Sequence, residues 1–248
     1  MQKQLVLLHG WGMNREVWEL VRPELNFIFD GEVRALDLPG YGHAQSTQRE
    51  GFHSDLPTMA KQLAEQLQDG SILVGWSLGG LVALYLAHFY PHKVSKVILV
   101  ASTPFFSHSS NWPGIKNAVL EQFNQQLVEN SNKTIERFLA IQAMGSESAR
   151  QDIKQLKALI QQAPSTSEQV LKQGLEILEY QDLRQEFAHL KQPIGAIFGR
   201  LDALVPYKVI EQMQRLRPHL DIEVLDKASH APFISHKDEF VAALKAML

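Results

Sequence analysis

The chain has 248 residues, 45% hydrophobic and 21% charged, with a formal net charge of -3 at pH 7 and no cysteine. That length buries a full core, as one domain or as one domain with an insertion. The charge argues against a general nucleic-acid binder, and the missing cysteine excludes disulfides, thiolate metal sites and cysteine nucleophiles.

Leu5 to Leu8 is a short apolar run that stops at His9-Gly10-Trp11-Gly12, a strand followed by a glycine-rich loop. It is too short for the apolar core of a signal peptide. No apolar run approaches the roughly 20 residues that span a bilayer, so the expectation is a cytoplasmic protein that engages neither membrane nor nucleic acid. Glu32 to Leu36 reads as a second strand, closed by the turn Asp37-Leu38-Pro39-Gly40-Tyr41-Gly42. Met59 to Leu67 has the spacing of an amphipathic helix. Ser71 to Val74 is a buried strand, Leu78 to Phe89 a helix that stops before Pro91, and Lys96 to Val100 another strand. Strands alternating with helices imply a mostly parallel sheet with helices on both faces.

After Pro104 the pattern changes. Ile115, Val119, Phe123 and Leu127 recur every four residues, as one face of a helix does. Asn130-Ser131-Asn132 breaks that helix. Ile135, Phe138 and Leu139 carry the next, Ile153, Leu156 and Ile160 a third, and Val170, Leu171, Leu175 and Leu178 a fourth. These four helices predict an inserted lid over 105–185, set in a core formed by 1–104 and 186–248. Sheet pattern resumes at Pro193 to Phe198 and at Ile222 to Leu225. Phe240, Leu244 and Met247 mark a closing helix.

Gly75-Trp76-Ser77-Leu78-Gly79 fits G-x-S-x-G, the nucleophile elbow of the α/β-hydrolases, with a strand before it and a helix after it. A serine there needs a base, and the base needs a group that orients it. In this fold the chain order is Ser, then Asp or Glu, then His. Asp202 follows the strand ending at Phe198, and His230 the strand ending at Leu225, which makes Ser77, Asp202 and His230 the candidate triad. His9, His43 and His53 precede the serine, His88 and His92 end the elbow helix, and His236 lies at the start of the last helix. Two backbone N–H groups must hold the oxyanion, at about 3 kcal/mol each. The candidates are Leu78, the residue after the nucleophile, and Trp11 in the first glycine-rich loop.

His9-Gly10-Trp11-Gly12, Asp37 to Gly42 and Gly75 to Ala83 resemble the BioH family, pimeloyl-acyl carrier protein methyl ester esterases of biotin synthesis. So do the lid segments Trp112 to Lys116, Glu136 to Gly145, Ala149 to Asp152 and Gly174 to Leu178, and the segment Ser229 to His236. The resemblance covers nearly the whole chain. It implies the same triad, with substrate contacts from Trp11, Ser77, Leu78, Phe138, Leu139, Ala140, Ile141, Gln142 and His230. The chain begins almost at the oxyanion loop, so at least one edge strand is expected to be short or absent.

Lys133 and Arg137 share one helical face, and Arg150, Lys154 and Lys157 share another. Beside the resemblance, Lys133, Arg137, Arg150 and Lys154 become candidate contacts for an acidic acyl carrier protein. A solvated face paired with Glu136 and Glu147 is the alternative. The expected reaction needs no metal and no cofactor, and the expected state is a monomer. Trp11, Trp76, Phe138 and Phe233 are candidates to line an acyl channel, with ordinary core as the alternative for each. The rival readings are a broad-specificity short-chain carboxylesterase, a carbon–carbon bond hydrolase on the same triad, and a hydrolase-fold receptor that binds a small ligand without turnover.

Overall fold

The computed structural model describes residues 3–47, 55–144 and 146–248. Its centre is a six-stranded sheet: β1 (Gln4–Leu8), β2 (Glu32–Leu36), β3 (Ser71–Trp76), β4 (Val94–Val100), β5 (Ile194–Gly199) and β6 (Asp221–Leu225), in the order β2-β1-β3-β4-β5-β6. Every pairing is parallel. The inner strands are buried on both faces, so they read as unbroken apolar runs. The edge strand β6 alternates exposed and half-buried residues up to Leu225. The expected N-terminal irregularity takes a specific form: β1 lies inside the sheet, β2 forms the edge, and no described strand pairs beyond it.

Helices α1 (Arg22–Ile28) and α10 (Lys237–Met247) pack together on one face. Helices α2 (Leu56–Ala64), α3 (Leu78–Phe89), α7 (Arg184–His189) and α8 (Val209–Leu216) form the other layer. Helix α3 is apolar all round because it lies between the sheet and its neighbours. Helix α2 starts and ends three residues earlier than the apolar spacing suggests. Asp55 caps it by accepting the Thr58 N–H, and Pro57 occupies its first turn. Helices α1, α7 and α8 went unread because each buries only one or two side chains.

The insertion leaves the sheet after β4 and returns at α7, where the Leu183 N–H donates to the Pro104 carbonyl at 2.9 Å. It holds α4 (Asn117–Gln142), α5 (Ala149–Ile160) and α6 (Glu168–Tyr180). Asn130 breaks α4 into two, at φ -163° and ψ 96°, and its side chain caps the second half by accepting the Lys133 N–H at 3.0 Å. Four helical segments result, as the spacing predicts. Ile115 precedes the first and instead bridges to Ser107.

Strand order reverses between β1 and β3: the chain moves outward from β1 to β2, then crosses to β3 and onward. Crevices at the C-terminal ends of such strands are where open α/β sheets bind ligands.

Candidate active site

Ser77 follows β3 at that crevice. Its backbone is at φ 53° and ψ -119°, a left-handed conformation unusual outside glycine. The strain is held by close packing. A Cβ on Gly75 would lie 2.4 Å from the Gly79 carbonyl oxygen, and one on Gly79 would lie 2.5 Å from that of Leu8. The Ser77 N–H donates to Val100 O at 3.0 Å, and the Ser102 hydroxyl donates to Ser77 O at 2.8 Å. Ser77 is thus pinned from β4 at the N-terminus of α3, where the helix dipole favours a developing negative charge.

His230 is fully buried, and its Nδ1 donates to Asp202 Oδ2 at 2.7 Å. The other carboxylate oxygen, Oδ1, accepts the Leu204 and Val205 N–H groups at 2.8 and 2.9 Å. The Asp202 carboxylate is therefore held from both sides and fixes the imidazole tautomer with Nε2 unprotonated. Among the described residues that Nε2 has no hydrogen-bond partner. The imidazole is held by Trp76, the residue before Ser77. The Trp76 indole lies 5.8 Å from the His230 ring and donates from Nε1 to His230 O at 2.8 Å. The backbone is also tied to the lid: the His230 N–H donates to Gln142 O at 3.1 Å, and the Ser229 hydroxyl to Met144 O at 3.0 Å.

Leu78 begins α3, and Trp11 lies in the loop after β1. Neither N–H donates to another described backbone group outside the regular elements. The Trp11 side chain turns away from the sheet. Its Nε1 donates to Leu171 O of α6 at 2.7 Å, and its ring packs edge-on to Phe138 at 4.7 Å, with Phe123 at 6.5 Å. These three rings join the loop after β1 to both halves of α4. Phe233 belongs to the core instead: it stacks on Trp18 at 4.5 Å and contacts Trp76 and Phe240.

Of the other lid candidates, Phe138, Leu139 and Gln142 are buried, Ile141 is half-buried and Ala140 is exposed. Both side-chain heteroatoms of Gln142 lack a hydrogen-bond partner. A cavity of about 630 Å³ opens between Gly12–Asn14 and the lid, with Ile135 and Leu139 in its wall. Ser77, Asp202 and His230 do not line it, and Ser77 is only 2% exposed.

Lys133, Arg137, Arg150 and Lys154 are all exposed and none is ion-paired among the described residues. Glu136 instead holds Lys157 at 2.5 Å, and that partner lowers the Glu136 pKa. Arg137 donates to Gln122 and Gln126 and lies over the Phe123 ring. Of the remaining histidines, His53 lies outside the described residues. His236 contacts Ser235 at 2.8 Å, and His9 is fully buried just after β1. The supports from Ser102, Ser229 and Trp76 carry no sequence signal, since each acts on a residue or loop reached only by folding.

A family model described as "alpha/beta hydrolase fold" matches residues 3–237. The pimeloyl-[acyl-carrier protein] methyl ester esterase of Citrobacter koseri is 46% identical over 244 residues, covering 98% of this chain and 93% of that protein. The enzyme of the same name from Salmonella typhimurium is 44% identical over the same shares. Among solved structures, an esterase from Exiguobacterium antarcticum superposes with a TM-score of 0.83 at 23% identity, covering 99% of this chain and 91% of that one. A bromoperoxidase from Bacillus anthracis gives 0.85 at 22%, covering 98% and 91%. At those identities the likeness concerns the fold.

Proposed function

Because the chain belongs to the α/β-hydrolase family and, within it, to the pimeloyl-[acyl-carrier protein] methyl ester esterases, we propose that it hydrolyses the methyl ester of pimeloyl-acyl carrier protein in biotin synthesis. The observation that carries the chemistry is the buried Asp202–His230 pair, with Nε2 unengaged among the described residues and Ser77 on a strained elbow.

Ser77 Oγ attacks the ester carbonyl while His230 Nε2 takes its proton. The Trp11 and Leu78 amides receive the oxyanion. As the tetrahedral intermediate collapses, the bond to the methoxy group breaks and His230 gives that proton to departing methanol. Water then attacks the acyl-enzyme, losing its proton to His230, and the free carboxylate and Ser77 are restored. The thioester to the carrier arm is untouched, so the pocket must present the distal ester to Ser77.

Trp11, Phe138 and Leu139 form apolar surface for the acyl chain, supported by the packing of Trp11 on Phe138. Gln142 and Ile141 continue this wall toward His230. Ala140 points outward, so in this reading it contributes through the helix and not by side-chain contact. Lys133, Arg137, Arg150 and Lys154 face solvent without carboxylate partners and suit an acidic carrier. In this reading residues 105–185 act as the lid and the working enzyme is a cytoplasmic monomer, which sedimentation and cell fractionation test.

The deciding experiment measures methanol release from pimeloyl-acyl carrier protein methyl ester and restoration of biotin-independent growth in cells lacking the esterase. Wild type should do both and Ser77→Ala neither. Faster turnover of short acyl esters than of the carrier-bound ester, without restored growth, would replace this reading by a broad carboxylesterase.

A further inference from the structure

His9 directly follows β1, is fully buried and takes no part in the proposed triad. Its surroundings nonetheless define its tautomer. Nε2 accepts the Leu38 N–H at 3.0 Å, so Nδ1 carries the proton and donates to Gly10 O at 2.8 Å. Burial lowers its pKa, against the opposing pull of Asp37 and of the Gly10 bond. Asp37 stands 3.9 Å from Nε2, with its carboxylate accepting the Arg15 and His43 N–H groups at 2.7 and 2.9 Å. The Tyr41 ring closes the remaining side edge-on at 5.4 Å. The imidazole is therefore a neutral strut between the C-terminal ends of β1 and β2.

The Gly10 carbonyl and the Trp11 N–H belong to one planar peptide unit and point to opposite sides of it. Whatever holds the carbonyl aims the N–H. We propose that His9 is a positioning residue for the oxyanion hole: its Nδ1–H, by holding the Gly10 carbonyl, sets the direction of the Trp11 N–H. This rests on the ester-hydrolase reading above, in which Trp11 is an oxyanion donor. A second donor to the same carbonyl, the Met13 N–H, is longer at 3.3 Å. The peptide's underside is fixed by the nucleophile itself: a Cβ on Gly10 would lie 3.2 Å from Ser77 Cβ and 3.3 Å from the Trp76 ring. Hydrogen bonding at a carbonyl also polarises its peptide and strengthens the N–H as a donor.

Two substitutions separate aiming from propping. Asn places an amide N–H where Nδ1 stands and can hold Gly10 O, but does not reach Leu38. Gln places its carbonyl oxygen where Nε2 stands and can accept the Leu38 N–H, but releases Gly10 O. For His9→Ala, His9→Asn and His9→Gln, three quantities are measured: kcat and KM on p-nitrophenyl butyrate, inhibition by a trifluoromethyl ketone that forms a tetrahedral adduct with serine, and Tm. His9→Ala and His9→Gln should lose about 10- to 100-fold in kcat with KM held within about twofold, since the donor is used only in the transition state. Ketone affinity should fall by the same factor as kcat/KM. His9→Asn should recover most of the lost turnover, and His9→Gln should recover Tm without turnover. If His9→Ala does not fold, the Asn and Gln variants carry the comparison. Equal rescue of turnover by both, or a fall in Tm with kcat and ketone affinity unchanged, overturns the proposal and leaves the esterase reading standing. Undiminished turnover in Ser77→Ala, a control that does not touch His9, removes both.

Discussion

Ser77 holds a strained backbone and His230 is oriented by Asp202, so in the proposed reaction neither acts alone. Ser77→Ala and His230→Ala should each lower kcat on a p-nitrophenyl ester by roughly 10⁴-fold or more, with Asp202→Asn also severe. The double variant Ser77→Ala/His230→Ala should be no slower than either single one, because a disabled unit cannot be disabled twice. Tm measured alongside should stay near wild type for Ser77→Ala, since only a buried hydroxyl without a structural bond is lost. His9 makes a separate prediction about pH. Burial lowers its folded pKa below that of an ordinary, solvated histidine. The unfolded chain therefore binds a proton more readily on acidification. The neutral-histidine contribution is complete above about pH 6.5 and is lost as pH falls through the lower folded value. Urea unfolding across pH 4–8 should show this loss in wild type, and His9→Asn should lack that component. Parallel curves for the two proteins would mean that His9 titrates alike in both states.

Between elements, α6 makes a close contact with the two loops at the mouth of the crevice. A Cβ on Gly174 would lie 2.3 Å from the Tyr41 hydroxyl and 2.7 Å from Trp11 Cδ1, and one on Gly40 would lie 2.9 Å from Val170. The Trp11 indole donates to Leu171 in the turn just before Gly174. Gly174→Val should force α6 off the oxyanion loop. We expect a loss of about 1–3 kcal/mol in urea unfolding together with reduced kcat, and a smaller effect of both kinds for Gly174→Ala. Full activity in the Val variant would show that the loop keeps its shape without α6. The end of α4 is joined to His230 and its neighbour in a different way: Gln142 O accepts the His230 N–H and Met144 O the Ser229 hydroxyl. A displacement of that turn therefore reaches the His230 backbone directly.

At the scale of the whole molecule, a net charge of -3 coexists with a helical surface on which Lys133, Arg137, Arg150 and Lys154 lack ion-pair partners among the described residues. In the proposed reaction, charge placed this way would steer an acidic carrier while contributing little to stability. Reversing Arg137 and Arg150 to Glu should slow hydrolysis of the carrier-bound ester several-fold. Raising the salt concentration should weaken the wild-type reaction in the same direction, because a Debye length near 10 Å at 0.1 M screens exposed charges. Turnover of p-nitrophenyl acetate should hardly change, as it never meets the carrier surface. Equal losses on both substrates would indicate collapse of the lid.

Local pattern was enough for the parallel sheet, the elbow helix, the four lid segments and the order Ser77, Asp202, His230. Each is written in residues close together: an apolar run, a glycine pair around a serine, an acid or a histidine just past a strand. Helices with one or two buried side chains, such as α1 and α8, left too faint a period to read. Resemblance to relatives added a substrate class that no periodicity contains. What only the tertiary structure decided was which surfaces meet. Phe233 belongs to the core because Trp18, Trp76 and Phe240 surround it. Glu136 pairs with Lys157 across two helices and leaves the proposed carrier contacts unpaired. His9, out of order for a catalytic base, becomes a strut because β2 brings the Leu38 N–H to its Nε2. Burial and hydrogen-bond partners are properties of pairs far apart in the chain, and a pair acquires them only when the sheet has closed around it.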